Sequence, residues 1–176
     1  MMNFRCATLD DKSLLIKWHK AAHVQEFWDT SDNQLNNMLG FLEGRKDIFE
    51  YWICSDAKDI DFALIMTSEF IDDGSPGLEN YEKYFAKGGP THSIDFMIGE
   101  ESHLGRGLAS VVLGSFMKFL KDRIGVTKVR FLIDPDQRNL KAVKAYERAG
   151  FKKVGEFTPK LGAFKGVLHS MMLRDL

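Results

Sequence analysis

The chain has 176 residues, 44% of them hydrophobic, and a formal net charge of −1. That composition suits one globular domain over residues 1–176 with a substantial core, and it argues against a nucleic-acid binder that works by neutralising phosphates. No apolar run approaches the ~18 residues of a membrane span.

The two cysteines, Cys6 and Cys54, form no CxxC and read as reduced thiols of a cytoplasmic protein. The N-terminal "MMNFRCATLDDK" lacks the apolar stretch of a signal peptide. In chain order, "FRCATL" (residues 4–9) predicts a first strand. Asp10 is a candidate N-cap for a helix that puts Leu14, Leu15, Trp18 and Ala22 on one face. A short second helix is expected around "VQEFW". A third follows Ser31 or Asp32 as cap, turns Leu35, Met38, Leu39 and Leu42 inward, and stops at Gly44. Residues 48–55 and 61–70, joined by the polar turn "DAKDI", predict an antiparallel hairpin.

Residues 72–92 read as a long functional loop with one helical turn at 79–85. "HSIDFMIG" (92–99) predicts a fourth strand, 107–123 a helix, and "VTKVRFLID" (126–134) a fifth strand. Asn139 caps a helix that stops at Gly150, and two further strands close the chain. The succession predicts a mixed α/β sheet.

"LGRGLA", residues 104–109, sits between a strand and a helix. It is not a dinucleotide fingerprint, because GxGxxG belongs after the first strand of a βαβ unit, and it lacks the GK[ST] of a P-loop. Two readings stay open. One is a tight strand-to-helix turn. The other is a pyrophosphate cradle, in which backbone N–H groups and a helix dipole meet an anion, and Gly105, Gly107, Ala109 and Ser110 keep the approach clear.

The following unit, "DPDQRNLKAVKAYERAGF" (134–151), joins a strand end, a Pro turn, an Asn cap and an amphipathic helix bearing Tyr146. Together the two stretches resemble the GNAT superfamily of acyl-CoA-dependent N-acetyltransferases. The first is similar to its Q/R-x-x-G-x-G/A pyrophosphate loop, with Leu104 in place of Gln or Arg. The second follows N-x-x-A-x-x-x-Y-E-x-x-G-F in full.

The resemblance implies a single GNAT-like domain. It implies a central, twisted, mostly antiparallel sheet splayed between the fourth and fifth strands and flanked by helices. It implies acetyl-CoA as cosubstrate, no metal, and a monomer or homodimer. A backbone N–H near Met97 or Ile98 would polarise the thioester carbonyl. The backbone of Leu104, Gly105, Arg106, Gly107, Leu108, Ala109 and Ser110 would hold the pyrophosphate. Asn139 would hold the cofactor arm.

Tyr146 is the candidate general acid, since a phenol with a pKa near ~10 stays protonated at neutral pH. Periodicity alone makes it a core residue, in a stripe with Ala142, Val143 and Ala149. Asp95 is a carboxylate in the apolar stretch "SIDFM", on the face of Met97, where it would bind an ammonium or take its proton. A solvent-facing edge aspartate is the plainer alternative.

Within the superfamily the chain is most similar to aminoglycoside 6′-N-acetyltransferases. "SIDFMIGEESHLGRGLA", "IDPDQRNLKAVKAYERAGF" and "HVQEFW" each follow their motifs. That similarity implies an acceptor side made of Asp95, Asp134 and Trp28. For Asp134, capping the turn before Pro135 is an equal alternative. Asp72, Asp73, Glu79 and Glu82 would add negative potential for a polycation, or are simply solvated.

"DPDQRNLKA" also resembles enzymes that acetylate N6-hydroxylysine in siderophore synthesis, and more remote relatives acetylate protein N-termini or polyamines. A non-catalytic acyl-CoA sensor is the alternative of a different class. His19 and His23 stand four apart without HExxH or a third ligand, and no GxSxG marks a hydrolase.

Overall fold

The computed structural model describes residues 2–46, 48–72, 74 and 77–176. Its strands are β1 (Asn3–Cys6), β2 (Glu50–Ser55), β3 (Asp61–Glu69), β4 (Thr91–Ile98), β5 (Arg130–Ile133), β6 (Lys152–Phe157) and β7 (His169–Asp175). Its helices are α1 (Lys12–His19), α2 (Ala22–Gln25), α3 (Asp32–Leu42), α4 (Leu108–Ile124) and α5 (Leu140–Arg148). The seven strands are ordered β1-β2-β3-β4-β5-β7-β6. The predicted mixed α/β class is what the chain adopts. It divides into two compact units, Met1–Ser68 with Asp95–Leu108, and Glu69–Ile94 with Ala109–Leu176.

In the first unit β1 pairs antiparallel with β2, and β2 with β3. Tyr51 to Ser55 are buried without a break, so β2 is covered on both faces. Leu15 and Trp18 from α1 and Met38 and Leu42 from α3 pack with Tyr51, Ile53 and Leu64 in one apolar cluster. Ser31 caps α3 through its Oγ, which accepts the Gln34 N–H at 3.3 Å.

Three sequence expectations change here, the first being that the residue before α1 is Asp11, with Asp10 inside a 3-10 segment, Leu9–Asp11. The first strand stops at Cys6 instead of Leu9, because Asp11 Oδ2 accepts the Thr8 N–H (2.8 Å) and turns the chain into a 3-10 segment, Leu9–Asp11. Arg5 secures that turn with a fork onto both Asp11 oxygens at 2.8 Å. Ala22 is exposed, not inward. The first helix ends at His19 and a new one begins at Ala22, which resets the helical phase, so Ala21 packs on the cluster in its place.

In the second unit β5 and β6 flank β7, both antiparallel to it. β4 runs parallel to β5, paired at Thr91–Arg130, His92–Phe131 and Ser93–Leu132. A parallel pair needs a crossover, and α4 supplies it. Val112, Leu113, Phe116, Met117 and Leu120 form its buried face. The parallel ladder ends at Ser93, while β4 itself continues to Ile98. The long loop holds two 3-10 turns, Leu78–Asn80 and Glu82–Tyr84, where one helical turn was expected.

Gly99 ends β4 against the fully buried ring of Trp18, and a Cβ there would land inside the indole. Gly99→Ala should therefore destabilise the fold by about 1–3 kcal/mol, the usual range for overpacking a core. Urea unfolding should show a lower midpoint at unchanged slope.

Candidate functional site

The first unit contributes the end of β4 and the loop that follows. The Gly99 and Glu100 N–H groups both donate to Phe62 O, at 2.8 and 3.1 Å. His23 Nε2 lies 2.9 Å from Ile98 O. The carbonyl can only accept, so Nε2 carries the proton, and the peptide after Ile98 is fixed from the side.

Glu100 Oε1 accepts from Trp18 Nε1 at 2.8 Å and from Lys17 Nζ at 2.6 Å. The Lys17 and Trp18 hydrogen bonds hold its carboxyl below the usual range. His103 closes the next 3-10 turn, Glu101–His103. It is buried, stacked on Phe62 at 4.5 Å between centroids, with Nε2 3.4 Å from Asp56 Oδ2. Asp56 in turn accepts the Ile60 and Lys58 N–H groups, which keep its carboxyl below the usual range.

Leu104, Gly105, Arg106 and Gly107 are exposed, and Leu108, Ala109 and Ser110 at the start of α4 are half-exposed. Gly105 and Gly107 have φ of 72° and 70°, in the left-handed region that favours glycine. A Cβ at either would meet nothing within 4 Å. The space where a side chain would stand is thus open at both glycines, as a phosphate cradle would require. On β4 itself Met97 is buried, and Asp95 and Ile98 are half-buried. Trp28 is half-buried and packs against the apolar cluster of this unit.

The second unit holds Asp134, Asn139 and Tyr146. Asp134 follows β5 directly, and among the described residues its carboxylate meets no N–H of the Pro135 turn. Its Oδ2 accepts from Tyr81 Oη at 3.2 Å and lies 3.1 Å from His169 Nδ1. That nitrogen is also 2.6 Å from Asp134 O. Burial disfavours the charged His169 ring, but the hydrogen bond and charge of Asp134 outweigh it and raise the imidazole pKa.

Asp136 is bound by Arg138, whose Nη2 lies 2.5 Å from Oδ2. The Arg138 hydrogen bond holds the Asp136 carboxyl below the usual range. Asn139 Oδ1 accepts the Ala142 N–H at 3.0 Å and caps α5. Its amide NH2 is what remains for a ligand. Tyr146 is buried, with its ring 6.3 Å from that of Phe151.

His23, His103, Tyr81 and His169 were missed in the sequence. His23 lay in "HVQEFW", where Trp28 drew the attention, and was weighed only with His19 as a metal ligand; His103 lay in "SIDFMIGEESHLGRGLA" and Tyr81 in the long loop, with no role given to either. Among the loop acids Asp72, Glu79 and Glu82 are exposed, and Asp73 lies outside the described residues. Cys54 offers no nucleophile, since burial first, and then Asp61 and Asp56, push its thiol up to about 12. Among the described residues no group of three His, Cys, Asp or Glu side chains is placed to hold a metal ion, and no helix is long and apolar enough to cross a membrane.

Residues 7–159 match the model of the acetyltransferase (GNAT) domain. Over 167 residues, 89% of this chain and 77% of the relative, the chain is 25% identical to an aminoglycoside N(6′)-acetyltransferase type 1 of Klebsiella pneumoniae. It superposes on the aminoglycoside N(6′)acetyltransferase of Legionella pneumophila subsp. pneumophila str. Philadelphia 1 with a TM-score of 0.77 and 26% identity, over 98% of this chain and 90% of that one. It shares the fold of aminoglycoside acetyltransferase AAC(6′)-Ib in complex with coenzyme A and kanamycin, at TM-score 0.75 and 21% identity, over 99% of this chain and 94% of that one.

The Glu100 clamp has a pH signature. Its pKa is depressed in the folded state, so its stabilisation is present above the unfolded value and lost as pH falls through the lower folded one. Wild type should be more stable than Glu100→Gln at neutral pH, and the gap should close as pH drops below about 4. Urea titrations across that range measure it.

Proposed function

We propose, since this chain belongs to the GNAT acetyltransferase family and is an N-acetyltransferase, that its donor is acetyl-CoA and its acceptor the 6′-amine of an aminoglycoside. The observation that carries the donor assignment is the open glycine turn leading straight into α4. Gly105 and Gly107 present backbone with nothing where a side chain would stand. A pyrophosphate fits that chemistry: convergent N–H groups at a helix start and no Cβ to obstruct them. The similarity to aminoglycoside acetyltransferases over most of the chain supports the acceptor.

When bound, acetyl-CoA supplies a thioester whose acyl carbon is open to attack by a neutral amine. Leu104, Gly105, Arg106, Gly107, Leu108, Ala109 and Ser110 hold the diphosphate through their backbone. The NH2 of Asn139, left over from its capping bond, holds the arm. A backbone N–H of Met97 or Ile98 polarises the carbonyl oxygen, where charge grows during attack.

Asp95 binds the acceptor ammonium and takes its proton, which generates the nucleophile. The new C–N bond forms as the C–S bond breaks. Tyr146 would give its hydroxyl proton to the departing sulfur, and the second proton, which the nitrogen sheds on becoming an amide, would restore the phenol through solvent. Asp134 and Trp28 receive the rest of a cationic sugar, one through charge and one through its ring face.

Two measurements test this reading. CoA release should be rapid with kanamycin and tobramycin and slow with spermidine, N6-hydroxylysine and a short peptide. Turnover confined to the last three would keep the acetyltransferase and discard the aminoglycoside. CoA binding with no turnover of any acceptor would point to a sensor. Tyr146→Phe should lower kcat by about 10²-fold or more, the scale of a lost general acid, and leave CoA affinity unchanged. A variant with wild-type turnover removes Tyr146 from that role.

A further inference from the structure

Asp134 is held more tightly than a carboxylate at a strand end requires. Two side chains from distant parts of the chain meet at its Oδ2: Tyr81 Oη at 3.2 Å and His169 Nδ1 at 3.1 Å. Neither has a part in the chemistry above. His169 lies at the start of β7, buried, with the ring centroids of Phe164 and Phe157 5.3 and 5.7 Å from its own. Its Nδ1 also reaches Asp134 O at 2.6 Å, so one ring nitrogen ties together main chain and side chain of the same residue. Tyr81 belongs to the long loop and is itself packed by Phe70 at 5.1 Å and Phe157 at 5.4 Å. Asp134 Oδ1 has no hydrogen-bond partner among the described residues, and the side chain is 24% exposed.

From this geometry we infer that His169 and Tyr81 are positioning residues that saturate Oδ2 of Asp134 and present its Oδ1 to the cationic acceptor. The inference rests on the reading that Asp134 receives the acceptor. The physical effect is preorganisation. A carboxylate free to rotate loses that freedom when it binds an ammonium, whereas one already fixed by two donors does not. The long loop thereby gains a defined task. Its two 3-10 turns place Tyr81, and Tyr81 aims an acid on another element.

Kinetics with kanamycin and acetyl-CoA on His169→Leu, His169→Asn and Tyr81→Phe test the assignment. His169→Leu removes the Nδ1 donor, and the acceptor KM should rise about tenfold, the worth of one hydrogen bond to a charged group. CoA affinity should stay at the wild-type value and confirm that the variant is folded. Asn carries an amide NH2 where Nδ1 stood, so His169→Asn should recover most of the loss. Tyr81→Phe, which keeps the packed ring, should raise the same KM severalfold.

Unchanged acceptor KM in both Tyr81→Phe and His169→Leu overturns the proposal. So does a His169→Asn variant as impaired as the leucine one. If wild type acetylates no aminoglycoside, the acceptor reading has failed, and the positioning is then read from the NMR signal of the His169 Nδ1–H. A shift of that signal in Asp134→Asn supports the proposal, and an unmoved signal overturns it.

Discussion

Trp18 decides where strand β4 ends and its loop begins. The indole is fully buried, fills the space that Gly99 leaves by having no side chain, and donates from Nε1 to Glu100. A buried aromatic N–H needs an acceptor, and Glu100 meets that need while Lys17 balances its charge. Two residues on α1 thus fix the first two residues after the strand. The exposed stretch Leu104–Gly105–Arg106–Gly107 follows a chain segment held by side chains from elsewhere. His103 and Asp56 hold its base from the β2–β3 turn, and His23 holds the last carbonyl of the strand.

The second unit solves the complementary problem with side chains. Asp134, Asp136 and Asn139 stand within a few residues of one another after β5, and each has a different fixed partner. Asp136 is neutralised by Arg138 and ties the turn. Asn139 starts α5. Asp134 is met by Tyr81 and His169. One short polar stretch is therefore sorted into a structural ion pair, a helix cap and an oriented acid. What distinguishes the three is where their partners come from, local for Asp136 and Asn139 and distant for Asp134.

The same distinction explains what could be read from the sequence. The helix cap at Asn139, the start of α4 and the glycine turn at 105 and 107 are local features. Each is written in adjacent residues, and each was legible. The hairpin of β2 and β3 was legible for the same reason. The strand-end contact of His23 with Ile98, and those of Tyr81 and His169 with Asp134, span long stretches of chain and leave no periodic trace. A histidine before an apolar strand, as in "VLHSMML", looks the same whether it meets solvent or a carboxylate. The misplacement of Ala22 had a local cause of another kind. One unbroken apolar period was read across what proved to be two short helices, and the break at Lys20 and Ala21 carries no Gly or Pro to announce it.

These two ways of building a site differ in how they tolerate change. A cradle made of backbone N–H groups does not depend on the identity of a flanking side chain such as Leu104, provided that Gly105 and Gly107 remain able to adopt positive φ. Recognition through an oriented carboxylate has no such reserve. Its affinity for a cation depends on one oxygen atom aimed by two hydrogen bonds, and loss of either donor lets the group rotate. Proteins sharing this scaffold can therefore retain a donor site through backbone geometry while their acceptors diverge through a few side chains. On the proposed reading those side chains are Asp95, Trp28 and Asp134, and Tyr81 and His169 meet the Oδ2 of Asp134.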